Sequence, residues 1–228
     1  MKYIIGNWKM NGNMKNKESL LHAISNVKTN NKVIICLPFT LLYGENHGVT
    51  IGAQDVSQFD NGAYTGDISA KMLNDAGVKY VIVGHSERRI YHNETNKIVK
   101  QKATQAIKHK IIPVICVGET LTEKESGKTK SVIKKMLLES VPESGKYIIA
   151  YEPVWAIGSG KTPTKDEIEK VIKIIYDALA VHKPIIYGGS VTANNATNIM
   201  SIKNIDGLLI GGASLKSNTL IPIIKSMD

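Results

Sequence analysis

Short apolar runs recur along this chain about every 30 residues on average, and that rhythm limits the folds open to it. The runs cover residues 3–8, 33–37, 49–53, 80–83, 111–117, 147–151, 185–187 and 207–210, and each is rich in β-branched or aromatic side chains, as strands are. None alternates cleanly with polar residues, so each reads as a strand buried on both faces, the habit of parallel sheets. Helical patterns fill the gaps. Residues 17–28 carry Leu20, Leu21, Ile24 and Val27 on one face, and residues 96–110 carry Ile98, Val99, Ala103, Ala106 and Ile107. Residues 131–139 carry Val132, Ile133, Met136 and Leu137. Residues 164–180 open with Thr164 and Glu167 in capping-box spacing. Eight strands, each followed by a helix or helix-like segment with no long Pro/Ser/Gly linker, predict a single α/β (β/α)8 barrel over residues 1–228. The alternative is an open doubly wound sheet, but Gly6-Asn7-Trp8-Lys9 stands where a dinucleotide fingerprint belongs.

Polar and glycine-rich residues gather where these strands end. Asn7 and Lys9 end the first, Gln54 and Asp55 the third, Gly84-His85-Ser86-Glu87 the fourth, Gly118 and Glu119 the fifth, and Glu152 the sixth. Gly188-Gly189-Ser190 and Gly211-Gly212 end the last two. In a barrel this is the face where active sites form. Glu152 leads into Pro153, an apolar Val154-Trp155-Ala156-Ile157 and Gly158-Ser159-Gly160, which reads as a reactive carboxylate joined to a hinged apolar lid. Desolvation under such a lid is expected to raise its pKa and strengthen it as a base. Gly160-Lys161-Thr162 ends like a nucleotide-binding P-loop, but that motif needs a glycine where Trp155 stands. His85 opens a short helical turn, whose positive end disfavours an imidazolium and favours a neutral hydrogen-bond donor. Lys9 supplies a fixed charge, with Asn7 expected on the same side of the strand. The two late glycine turns precede helical segments, where backbone N–H groups bind phosphate.

The net charge of +9 points to nucleic acid, an acidic surface or a small anion. The lysines are scattered, without a dense basic run or aromatic interleaving, so a solvated basic surface is favoured over a nucleic-acid footprint. No segment has membrane-spanning length, and residues 3–5 are too short for a signal-peptide core. Cys36 and Cys116 fall inside apolar runs and read as buried free thiols in a reducing cytoplasm.

GNWKMNG at 6–12, GAQDVS at 52–57, NGAYTGDIS at 61–69, VGHSERR at 83–89, ICVGET at 115–120, AYEPVWAIGSGKT at 150–162, YGGSV at 187–191 and GLLIGGASLK at 207–216 span the chain, and with them it resembles the triosephosphate isomerase family. That family also serves as a standard illustration of a neutral catalytic histidine beside a glutamate base. The resemblance implies interconversion of glyceraldehyde 3-phosphate and dihydroxyacetone phosphate, with no metal or organic cofactor. It implies Glu152 as the base, His85 as neutral electrophile, Lys9 stabilising negative charge, Asn7 orienting substrate and Glu87 supporting Lys9. It further implies backbone donors to phosphate at Gly158, Ser190, Gly211 and Gly212. A homodimer is implied through the loop from Gln54 to Asp67, with Thr65 at its tip beside the partner's site, and no nucleic-acid or membrane partner. Two departures stand out. The chain is short, with little room for a helix over residues 41–47 and a loss around the sixth helix. Pro163 stands where many relatives offer an N–H to a tyrosine matching Tyr187, and proline cannot donate. Competing readings are a Schiff-base aldolase working through Lys9 and a barrel that binds phosphate, or adheres to surfaces, without catalysis.

Overall fold

The computed structural model describes residues 1–157, 162–179 and 182–228. Strands β1 (Tyr3–Asn7), β2 (Lys32–Leu37), β3 (Thr50–Ala53), β4 (Tyr80–Val83), β5 (Ile112–Val117), β6 (Ile148–Tyr151), β7 (Ile185–Tyr187) and β8 (Gly207–Ile210) close into one barrel in chain order. Each strand is parallel to both neighbours, and β1 closes the ring against both β2 and β8. The lack of alternation in the apolar runs has a simple cause. Along β2 and β5, Ile34, Cys36, Val114 and Cys116 belong to the cluster that fills the barrel, while Ile35, Leu37, Ile115 and Val117 pack under the helices.

The helices are α1 (Met14–Ser25), α2 (Ala70–Asp75), α3 (Ser86–Tyr91), α4 (Asn96–Lys108), α5 (Leu121–Glu125), α6 (Thr129–Ser140), α7 (Lys165–Ala178), α8 (Ala193–Met200) and α9 (Ser217–Ser226). Helix α7 carries the capping box read from Thr164 and Glu167, and buries Ile168, Val171, Ile172 and Ile175. Helix α1 begins three residues earlier than its apolar stripe suggests. Asn13, not the stripe, sets its start, by accepting the N–H of Asn16 at 2.9 Å.

After β2 the chain makes only a 3-10 turn, Phe39–Leu41, so the shortage of residues there falls on the helix. Leu41 and Leu42 are buried in its place. Lys17 of α1 holds this loop: its fully buried ammonium donates to the Tyr43 carbonyl at 2.6 Å, and burial lowers its pKa. Among the described residues, no helix is long and apolar enough to cross a membrane.

Candidate active site

The carboxyl ends of β1, β4, β6, β7 and β8 surround a cavity of about 440 Å³ lined by Asn7, Lys9, His85, Glu152, Ser190 and Gly211, among others. Gly212 also lines it, so every site residue expected from the sequence except Gly158 and Glu87 faces this space. Gly158 lies outside the described residues. Glu87 stands just behind, where its Oε1 accepts the Lys9 ammonium at 2.6 Å.

Glu152 follows β6 directly. Its N–H still bonds to the Val117 carbonyl at 2.8 Å, so the strand's register fixes its backbone. Two glycines make room for it. A Cβ at Gly118 would lie 1.8 Å from the Glu152 carbonyl oxygen, and one at Gly188 would lie 2.8 Å from Glu152 Cγ and 3.2 Å from Oε1. The carboxylate is therefore held from behind by bare backbone. We expect Gly188→Ala to push it out of place and lower kcat by about 10- to 100-fold, since rate follows placement steeply. Its Tm should change little. Steady-state kinetics beside a thermal melt checks this, and an Ala variant with wild-type kcat contradicts it.

His85 caps α3, and its Nδ1 accepts the Glu87 N–H at 3.2 Å. Nδ1 is therefore bare and the ring proton sits on Nε2, which lies 3.3 Å from Glu152 Oε1. Gly84 permits this turn: at φ +66° it takes a left-handed conformation, and a Cβ there would meet Val99 at 2.7 Å.

Three expectations need correction. Burial does push Glu152 upward, but its pKa in this state lies below the ordinary carboxylate range, because His85, a hydrogen bond from Cys116 and the Lys9 charge outweigh burial. Burial likewise pulls His85 down, yet the charge and hydrogen bond of Glu152 raise it. A helix end therefore does not by itself set the imidazole's charge. The neutral form depends on the Glu87 N–H at Nδ1, which a second proton would displace. The third correction concerns Lys9. It does not share a strand face with Asn7, because β1 ends at Asn7 and Lys9 turns left-handed at φ +52°. Asn7 Oδ1 holds that turn by accepting the Lys9 N–H at 3.0 Å.

The late glycine turns open onto the cavity. Nothing lies within 4 Å of a Cβ built on Gly212, and Gly211 would meet only Lys9 Cε at 3.7 Å. Ser190 is fixed beside them by donating its hydroxyl to the Ala156 carbonyl at 2.9 Å. Gly189 must be glycine, since a Cβ there would fall 2.1 Å from the Tyr187 hydroxyl. That hydroxyl is buried and without a hydrogen-bond partner among the described residues, as expected where Pro163 replaces a donor.

Glu119, placed by the sequence among the strand-end polar residues without a role, anchors a second group. Buried Glu119 takes hydrogen bonds from the Tyr151 hydroxyl at 3.2 Å and the Trp155 indole at 3.1 Å, and so secures the turn that follows Glu152. Its signal was its place after β5, at the same barrel end as the other polar groups.

By fold, and by its pairing of a buried carboxylate with an imidazole held as a donor, the molecule falls among (β/α)8-barrel enzymes that work by acid–base chemistry. A family profile described as triosephosphate isomerase matches residues 2–227. A protein named triosephosphate isomerase from Alkaliphilus oremlandii is 45% identical over 97% of this chain and 98% of its own length. One from Chlamydia trachomatis is 40% identical over 100% of this chain and 90% of its own. The crystal structure of triosephosphate isomerase from Bartonella henselae superposes with a TM-score of 0.87 at 36% identity, covering 99% of this chain and 98% of that one. The chain belongs to the triosephosphate isomerase family.

Proposed function

We propose that Glu152, His85 and Lys9 carry out the aldose–ketose isomerisation of the family, converting D-glyceraldehyde 3-phosphate and dihydroxyacetone phosphate into each other. The observation that carries this reading is the 3.3 Å approach of His85 Nε2 to Glu152 Oε1 at the wall of the cavity. A carbonyl oxygen entering beside them takes the Nε2–H, and the carboxylate is left facing the adjacent C–H.

The pKa directions then run the right way. When His85 turns its proton to substrate, Glu152 loses one of the interactions that hold its pKa down, and burial strengthens it as a base. Once Glu152 takes the proton, its charge no longer raises His85. Burial and the Glu87 N–H then keep the imidazole neutral while it donates to the enediolate oxygens. Lys9, held by Glu87 2.6 Å away, supplies positive charge beside that oxyanion. Asn7 orients substrate and fixes the Lys9 turn. Backbone at Ser190, Gly211 and Gly212 takes the phosphate. No metal or organic cofactor is needed, because each proton has a protein group to carry it.

The aldolase reading loses its lysine. Lys9 sits against a carboxylate, whereas a Schiff-base amine needs surroundings that favour the uncharged form. A coupled assay with glyceraldehyde 3-phosphate tests the proposal. Wild type should turn over, and Glu152→Asp, with the carboxylate drawn back by about one methylene, should lose on the order of 100-fold. A silent wild type ends the isomerase reading.

We further propose a homodimer in the cytoplasm. Large apolar side chains lie bare on one flank of the mouth: Met10 is 97% exposed, Tyr91 76% and Phe39 36%. The loop from Gln54 to Asp67 stands beside them with Thr65 exposed near its tip. It is braced by Phe59 stacked on Tyr64 at 3.9 Å and by the Ser57 hydroxyl on Asp67. A bare apolar patch of this kind marks an interface. Sedimentation equilibrium should return twice the 25.0 kDa chain mass, and a monomer at micromolar concentration contradicts the dimer.

A further inference from the structure

The fold gathers lysines that the sequence scatters. Lys2 precedes β1, Lys32 begins β2, Lys79 precedes β4, and Lys110, Lys146 and Lys183 each stand two residues before β5, β6 and β7. Lys203 stands four residues before β8, and only β3 lacks a lysine at its start. Because all eight strands are parallel and close into a ring, these residues encircle one end of the barrel, opposite the active site. At the other end only Lys9, two residues after β1, stands as close to a strand. Charge placed to draw an anionic substrate belongs at the mouth, so the isomerase reaction does not account for a ring at the floor.

The ring is not neutralised from within. Lys79, Lys110, Lys146 and Lys203 are exposed. The ion pairs of the chain's lysines involve other positions, and none of the seven has a carboxylate partner among the described residues. Lys2 and Lys183 do bond carbonyls, those of Met227 and Gly145 at 2.9 Å, which are neutral partners. The acids nearby bond to groups other than these lysines, Asp228 and Asp206 only to neutral donors, so they offset the seven lysines in part. Asp228 accepts from Thr29 and Asn31, Asp206 from the Ile185 N–H, Glu45 lies against His47 and Glu143 against Lys100. Asp75, at the end of α2, stands outside these pairs.

We propose that the barrel floor is a docking face for an anionic lipid surface. The charges lie around one blunt end, which suits a plane better than a rod. They are all lysines, point charges on flexible stems that need no fixed geometry in a headgroup layer. Nucleic acid is served less well. The chain's two arginines, Arg88 and Arg89, are committed at the other end to Glu94, Asp55, Gly84 and Cys116. Of the tyrosines at this end, Tyr80 and Tyr147 are buried, Tyr3 is half-buried and Tyr176, edge-on to His182, is exposed, which gives bases a single open ring and no stacking platform. Attached this way, the mouth faces solution and the substrate's path stays open.

Cosedimentation of the full chain with phosphatidylserine-containing vesicles, against phosphatidylcholine alone, tests the proposal. Wild type should bind the anionic vesicles at low salt and leave them as salt rises, and should not bind the neutral ones. The quadruple variant Lys79→Gln, Lys110→Gln, Lys146→Gln, Lys203→Gln should lose nearly three orders of magnitude in partitioning, at about fivefold per lysine. Its isomerase activity should stay within about twofold of wild type, since the floor touches no part of the site. Lys134→Gln with Lys135→Gln, on the outer face of α6, removes charge elsewhere and should leave binding within a fewfold. If the quadruple variant folds poorly, the Lys79/Lys110 and Lys146/Lys203 pairs are read separately, each expected to cost about 25-fold. No binding by wild type, equal loss in the α6 control, or displacement by a DNA duplex at matched phosphate concentration overturns the proposal. An inactive wild type that still binds vesicles would count against the isomerase reading alone.

Discussion

Glu152→Gln should lower kcat by about three to four orders of magnitude, the upper part of what a positioned general base contributes. The substitution keeps the shape and the hydrogen bond to His85 Nε2 while removing the basic oxygen. KM should change little, because the phosphate is proposed to rest on the glycine turns that follow β7 and β8. Two outcomes separate this account from others. A fall of less than tenfold means that another group removes the proton. A large rise in KM with kcat preserved means that Glu152 binds substrate instead of acting on it.

The second large effect lies away from the chemistry. Lys102 of α4 is buried and donates to both oxygens of Asp55, at 2.7 and 2.9 Å, and to Glu94. Arg88 completes the group with bonds to Glu94 and Asp55. The cluster ties the loop after β3 to α3 and α4, and so braces the segment proposed to meet a second subunit. Lys102→Met leaves two buried carboxylates with Arg88 as their one cation and should cost about 3–5 kcal/mol of stability, read by denaturant unfolding at fixed protein concentration. The loss should depend on pH. Burial raises Glu94, but Lys102 and Arg88 outweigh it and set its folded pKa low. Its contribution is present above the ordinary carboxylate range and fades as pH falls through the lower folded value. Asp55 runs the other way, because burial outweighs Lys102 and raises it. In Lys102→Met neither carboxylate keeps its ammonium, so the deficit against wild type should shrink as pH falls. A deficit that grows on acidification contradicts this picture.

How much of this was legible in the sequence depends on how local each cause is. The α7 capping box was readable because Thr164 and Glu167 satisfy each other within one turn. Strands β4, β7 and β8 were readable to the residue, because apolar runs bounded by glycine, proline or charge leave little freedom. Lys9 was misplaced because its left-handed turn is bought by a bond to Asn7, and nothing in residue type announces positive φ at a lysine. Lys17 and Lys102 read as solvated helix positions, since the carbonyl that holds Lys17 comes from 26 residues away and the Asp55 carboxylate that holds Lys102 from 47. The sign of the Glu152 shift was missed for the same reason. Burial can be inferred from a neighbouring apolar stretch, but the partners that outweigh it, His85 and Cys116, sit on other strands.

The most direct test follows a hydrogen. Dihydroxyacetone phosphate is incubated with enzyme in deuterium oxide, and the product glyceraldehyde 3-phosphate is trapped and examined for deuterium at C2. If Glu152 shuttles a proton through an enediolate at this barrel mouth, wild-type product carries deuterium there, and Glu152→Gln forms almost none in the same time. Product formed at an undiminished rate by Glu152→Gln, or wild-type product made with no deuterium at C2 at any stage of the reaction, would contradict the account.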